Sequence, residues 1–212
     1  MGAFAQMHQQ PEGGHPYLLS RGVSSDTLTD PRFASMIRID QRSNAVFPHY
    51  DSAGLSGYEL KNRGFTGFSR GGEKRVWHST NLGNAPRVVV VESAIDALSH
   101  AQLTSDQEAA YLSIGGQPSQ EQWQVLQSVA THAKKEGAIL VIATDADKAG
   151  DVLAEQIAVL VPGAERQRPT AGKDWNDQLT ETERQRLQDE LREKLNPDDS
   201  DSGLDHGGPN LG

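Results

Sequence analysis

The chain has 212 residues, 35% of them hydrophobic, and a formal net charge of −9. That length can bury one large core or two small ones. The acidic total argues against a strong non-specific DNA binder, and the absence of cysteine excludes disulfides and thiolate zinc sites. No run approaches 18 apolar residues and no basic start leads into an apolar core, so the sequence reads as a soluble cytoplasmic protein with no membrane span.

In chain order, residues 1–14 are rich in Gln and Gly and are expected to be disordered. His15 to Gly22 reads as a short helix with Pro near its start and Gly after its end. A second short helix is expected from Ser25, as N-cap, towards Asp30. Met36 to Asp40, Ala45 to Tyr50 and Gly57 to Lys61 read as strands separated by turn signals, which makes residues 15–85 a small α+β region built on an antiparallel meander. From Lys61 to Trp77, the basic residues Lys61, Arg63, Arg70, Lys74 and Arg75 alternate with Phe65, Phe68 and Trp77 among four glycines. Cations for phosphate beside aromatic faces for bases are the ingredients of a single-strand or nucleotide site. The plainer alternative is a glycine-rich hairpin with a solvated basic face and core aromatics. Asn81 to Pro86 reads as a linker.

The next stretch carries carboxylates at the ends of apolar runs. Val88 to Val91 stops at Glu92, and Ala138 to Ile142 leads through Ala143 and Thr144 to Asp145-Ala146-Asp147. Short β-branched runs followed by helical patterns predict buried parallel strands, with helices over Ser93 to Leu103 and Ser119 to Lys135. Ala110 to Ile114 is a further strand leaving through Gly115-Gly116; Val152, Ile157 and Leu160 mark another amphipathic helix, and Arg166 to Pro169 an edge strand. The fold class is therefore α/β, a parallel sheet flanked by helices over residues 86–180. Its acids are expected to converge at the carboxyl ends of the strands, where such sheets bind ligands. Asp96, one helical turn after Glu92, can reach the same edge. Oxygen ligands without Cys or His suit Mg²⁺ or Mn²⁺. Glu181 to Leu195 reads as a charged capping helix, and residues 196–212 as a disordered acidic tail. Charge follows this division: residues 1–85 hold 9 basic and 7 acidic side chains, residues 86–180 hold 7 and 13, and residues 181–212 hold 4 and 9.

Three motifs in this order resemble the toprim domain shared by bacterial-type primases, topoisomerases and some nucleases. Val-Glu-Ser-Ala-Ile-Asp-Ala-Leu (91–98) is similar to its glutamate motif, Tyr-Leu-Ser-Ile-Gly-Gly (111–116) to its middle strand and glycine turn, and Thr-Asp-Ala-Asp-Lys-Ala-Gly (144–150) to its Asp-x-Asp motif. Thr170 to Leu179 resembles the segment that closes primase toprim domains, with Asp174 matching a family acid and Asn176, or Asp177 shifted by one, at the second acidic position. Residues 47–59 are similar to the region before toprim in plasmid and phage primases and in relaxase-linked proteins.

The resemblance implies Mg²⁺- or Mn²⁺-dependent, primase-type nucleotidyl transfer on single-stranded DNA in plasmid or mobile-element replication or mobilisation. Glu92, Asp145 and Asp147 would be catalytic, and these three with Asp96 and Asp174 would serve as metal ligands. Lys61, Arg63, Arg70, Lys74, Arg75, Lys148 and Lys173 would contact nucleic acid or nucleoside triphosphate, with a relaxase or helicase module as partner. A toprim nuclease and a non-catalytic nucleic-acid-binding module of a mobilisation protein are the alternatives.

Overall fold

Two sheets organise the chain, which the computed structural model describes over residues 2–9, 11 and 13–195. The acidic tail expected at 196–212 lies outside the described residues. Helices α1 (Gly2–Ala5), α2 (Pro16–Leu19) and α3 (Ser25–Thr29) precede the first sheet. Ser24, one residue earlier than expected, caps α3 by accepting the Thr27 amide at 3.2 Å, because a cap oxygen must stand ahead of the first turn to reach its third N–H.

The first sheet contains β1 (Arg38–Ile39), β2 (Ala45–Asp51), β3 (Gly54–Asn62) and β4 (Phe65–Phe68), antiparallel and in that spatial order. This is the expected meander, lengthened by a fourth strand from the basic segment. Residues 2–9 depart from the expectation of disorder. His8 forms an antiparallel bridge with Ile39, and the Phe4 ring lies 5.7 Å from that of Tyr58. An aromatic side chain within reach of a sheet face orders a segment that its composition alone describes as unstructured.

The second sheet contains β5 (Trp77–His78), β6 (Arg87–Val91), β7 (Ala109–Ser113), β8 (Ile139–Ile142) and β9 (Glu165–Arg166) in the order β5-β7-β6-β8-β9. All neighbours are parallel except β5, which runs antiparallel to β7. Helices α4 (Ala94–Thr104), α5 (Gln120–Glu136), α6 (Lys148–Leu160) and α7 (Trp175–Leu195) accompany it. Successive side chains of a strand point to opposite faces, so the valine run of β6 serves two cores. Val89 and Val91 join Tyr111, Val141, Leu98, Trp175 and the residues Phe33 and Phe47 of the N-terminal region. Val88 and Val90 join Leu112, Leu140, Ile142, Leu126, Leu153 and Ile157. Each such buried aliphatic chain contributes about 1.5–3 kcal/mol, which accounts for the unbroken apolar run from Val88 to Val91 before Glu92.

Three helix and edge readings shift. Val152 is 47% exposed while Leu153, Ala154 and Ile157 are buried, since a residue five positions before Ile157 falls on another side of a 3.6-residue helix. The charged helix begins at Trp175 and not at Glu181, and its first turn buries Trp175, Asn176 and Leu179. The edge strand is confined to Glu165–Arg166. Among the described residues no helix is long and apolar enough to cross a membrane.

Candidate active site

β6 and β8 end side by side, and their exits carry the acids. Ala143 N–H donates to Val90 O at 2.8 Å, Ile114 N–H to Val91 O at 3.2 Å and Gly116 N–H to Glu92 O at 3.0 Å, so the strand ends are stitched together one residue beyond the ladder. Gly115 and Gly116 have φ of 68° and 94°, the left-handed region that glycine adopts without cost. Glu92 is thereby held between two loops, and its Oε1 accepts the Asp145 amide at 3.0 Å.

Asp147 is the N-cap of α6 and accepts the Gly150 amide at 2.8 Å. That bond and the Lys173 ammonium hold its carboxyl below the usual range. Asp145 moves the other way, to about 6, because burial disfavours its charge and the charges of Glu92 and Asp174 add to the effect. One acid is therefore held ionised while its neighbour titrates near neutrality. The cation beside them is Lys173, with Nζ 3.5 Å from Asp145 and 3.1 Å from Asp147. The expected convergence of three acids is only partly realised. Glu92 turns to the Asp145 backbone, and among the described residues no group of three carboxylates or imidazoles stands arranged to hold a metal ion.

Gly150 shows why the Ala-Gly pair follows the acids. A Cβ there would meet Asp145 O at 2.3 Å and Asp145 C at 2.8 Å, both backbone atoms that cannot swing aside. Gly150→Ala is expected to lose on the order of 1–3 kcal/mol through this overpacking, and to displace Asp145. An unchanged melting temperature would show that the loop has room. Arg166, which motif reading passed over, fixes the same loop: it donates to Thr144 O at 2.9 Å and Asp145 O at 3.0 Å, and lies 3.5 Å from Asp151. Its only signal in the sequence was a cation on an edge strand beside the acidic loop.

Asp96 and Asp174 reach the site differently. Asp174 accepts the Asp177 amide at 2.7 Å ahead of α7, and its charge raises the pKa of both Asp145 and Asp96. Asp96 is buried, accepts the Ser93 hydroxyl at 2.6 Å, and is pushed up to about 7, first by burial and then by Asp174 and Asp145. An acid with a raised folded pKa binds more protons folded than unfolded, so its contribution to stability is lost as pH rises from its ordinary 3.8 through about 7. Asp96→Asn is expected to melt several degrees above the wild type near pH 8 in metal-free buffer, the gap closing towards about pH 4. A gap that does not vary with pH would remove the assignment. Asn176 and Asp177 supply no further acid to this edge: buried Asn176 donates to Arg21 O at 2.8 Å and Ser99 Oγ at 2.9 Å, and Asp177 accepts the Lys173 amide at 3.0 Å.

The basic segment divides. Lys74 donates to Gly115 O, which brings it to the site's rim. Lys61 lies 3.9 Å from Glu59, and Arg75 pairs with Asp51 at 3.7 Å and with Glu73. Among the described residues the Arg63 and Arg70 side chains make no ion pair or hydrogen bond, and both are exposed, as is Lys148. Trp77 is no stacking platform. It is fully buried, donates from Nε1 to Met36 O at 2.8 Å, and packs against Phe33 and Phe47. Phe68 is half-buried against His49, with ring centroids 5.3 Å apart.

A mostly parallel sheet with acids at the carboxyl ends of β6 and β8, a glycine turn after β7 and an antiparallel sheet at the rim defines a toprim-like architecture. The comparisons agree. Residues 89–179 match the family model described as Toprim-like, and residues 16–85 match that of a protein of unknown function, DUF3991. Residues 89–179 thus form a Toprim-like domain. Among solved structures it is similar to the primase fragment of the bacteriophage T7 primase-helicase protein, with TM-score 0.57 and 16% identity over 89% of this chain and 76% of that one. It is also similar to a chain from the bacteriophage T7 lagging-strand DNA polymerase assembly with primase domains bound to an RNA/DNA hybrid and dTTP, with TM-score 0.54 and 16% identity over 85% and 92%. No curated protein matches the chain.

Proposed function

We propose that the chain is a Mg²⁺- or Mn²⁺-dependent primase-type nucleotidyl transferase that joins nucleoside triphosphates on a single-stranded DNA template, in the cytoplasm, in plasmid or mobile-element replication or mobilisation. The observation that carries this reading is the pairing of Asp145 and Asp147 around one cation beside Glu92, at the edge where Lys74 of the N-terminal region meets the glycine turn. An all-oxygen donor set whose present cation is a lysine ammonium fits a hard divalent ion. Asp145 and Asp147 would hold it, with Asp96 and Asp174 as supporting charge. It would supply neutralisation of phosphate charge.

Glu92 would take the proton of the attacking 3′-hydroxyl, while Arg166 and Gly150 keep the Asp145 loop in place. The division into an N-terminal region (15–85), a toprim domain (86–180) and a capping helix (181–195) belongs to this proposal, as does a helicase or relaxase module as partner. The T7 neighbour, a fragment of a primase-helicase, supports the helicase. Labelled triphosphates with single-stranded DNA and Mg²⁺ or Mn²⁺, scored in one tube for oligomer synthesis and for nicking, test the reading. Synthesis supports it, nicking alone makes the protein a toprim nuclease, and binding without either leaves a nucleic-acid module.

Among the described residues, Arg63 and Arg70 are the strip's cations whose side chains make no ion pair or hydrogen bond, and so they are the expected phosphate contacts. Replacing both by Ala should flatten the dependence of log K on log salt by roughly 1.4, at about 0.7 per phosphate on a single strand. An unchanged slope in fluorescence anisotropy would move the contact elsewhere.

A further inference from the structure

The lysine between the acids is anchored in an uneven way. Its backbone is tied on both sides, Ala146 N–H donating to Lys173 O at 2.8 Å and Lys173 N–H to Asp177 Oδ2 at 3.0 Å. Gly172, with φ of 75°, lets Asp177 close on this turn, since a Cβ there would stand 2.3 Å from Asp177 Cβ. The side chain is 59% exposed, whereas that of Asp145 is 12% exposed. A fixed root and a solvated four-carbon stem allow the ammonium to leave without disturbing the loop.

A divalent ion bound to the same two carboxylates would stand within a few ångströms of this ammonium, and like charges at that separation repel. Resting on the metal reading above, we propose that Lys173 is the resident counter-ion of the metal-free site and is displaced when the divalent cation binds. Lys173 opposes metal binding, and its removal strengthens it. A lysine acting only on phosphate would leave the affinity for metal alone unaltered.

The test is calorimetric titration of Mn²⁺, without nucleotide, into the full chain as wild type, Lys173→Gln and Lys148→Gln, with circular dichroism on each. Lys148 adjoins Asp147 in sequence but makes no ion pair among the described residues. Lys173→Gln is expected to bind Mn²⁺ roughly two- to fivefold more tightly, the fold-change of a partly exposed ion pair. Lys148→Gln is expected to change it by clearly less. Equal or weaker binding by Lys173→Gln, with the wild type binding, overturns the exchange and leaves the metal reading standing. Equal gains in both variants overturn it too, because loss of general charge then explains the effect. Absence of Mn²⁺ binding in all three proteins overturns the exchange and the metal reading together.

Discussion

Trp77→Ala is expected to destabilise the protein by about 3–5 kcal/mol, the range for truncating a large aromatic in a core. The indole is fully buried, stacks on Phe33 at 6.2 Å and meets Phe47 edge-on at 6.1 Å. Its loss opens a cavity between the two sheets and leaves Met36 O without its 2.8 Å donor, a further desolvation cost. Trp77 also lies in β5, paired with Ser113 beside the glycine turn, so the damage reaches the strand that leads to the site. At roughly 2–4 °C per kcal/mol for a chain of this size, the melting temperature should fall by about 6–20 °C. Guanidinium unfolding followed by circular dichroism measures the loss. A variant that stays as stable as wild type but binds single-stranded DNA more weakly, by about 1–3 kcal/mol, would return Trp77 to the role of base platform.

That residue marks the limit of what the sequence makes legible. The parallel sheet is readable because strands buried on both faces must be continuously apolar, and Val88 to Val91 and Leu140 to Ile142 leave no other reading of comparable length. The motif order then locates the acids at the strand ends. Trp77 looks like part of a basic aromatic strip because pattern alone does not tell a solvent-facing ring from one that a later strand covers. Its partner β7 lies more than thirty residues downstream. The same limit hides the ion pairs of Lys173, which the sequence marks only as a phosphate contact. Its approach to Asp145 and Asp147 depends on backbone contact between two loops, which no local spacing encodes. Asn176 stands near an expected acid yet serves packing, because the first turn of α7 is pressed between Ser99 of α4 and Arg21. Long-range docking thus decides which polar residues face the crevice, and the strand-end rule decides only that some do.

The largest functional effect is expected from Asp145→Asn combined with Asp147→Asn, which should abolish Mn²⁺ binding, a loss beyond the 10- to 100-fold that removal of an outer partner brings, without unfolding the domain. Asn is as good an N-cap as Asp, so α6 keeps its start at the Gly150 amide. The Asp145 carboxyl is raised to about 6 by burial and neighbouring acids, so a neutral amide there relieves repulsion. Calorimetry on the double variant checks the first claim, and unaltered Mn²⁺ affinity would remove the metal site. Glu92→Gln then separates chemistry from binding. The amide oxygen of Gln can still accept the Asp145 N–H now held at 3.0 Å, so the loop should keep its shape while the group proposed to take the proton is gone. Primer synthesis is expected to fall by about 100-fold or more, as loss of a positioned general base brings, with single-stranded DNA affinity unchanged by anisotropy. If Glu92→Gln synthesises oligomers at the wild-type rate, Glu92 positions the Asp145 loop and the proton leaves by another route.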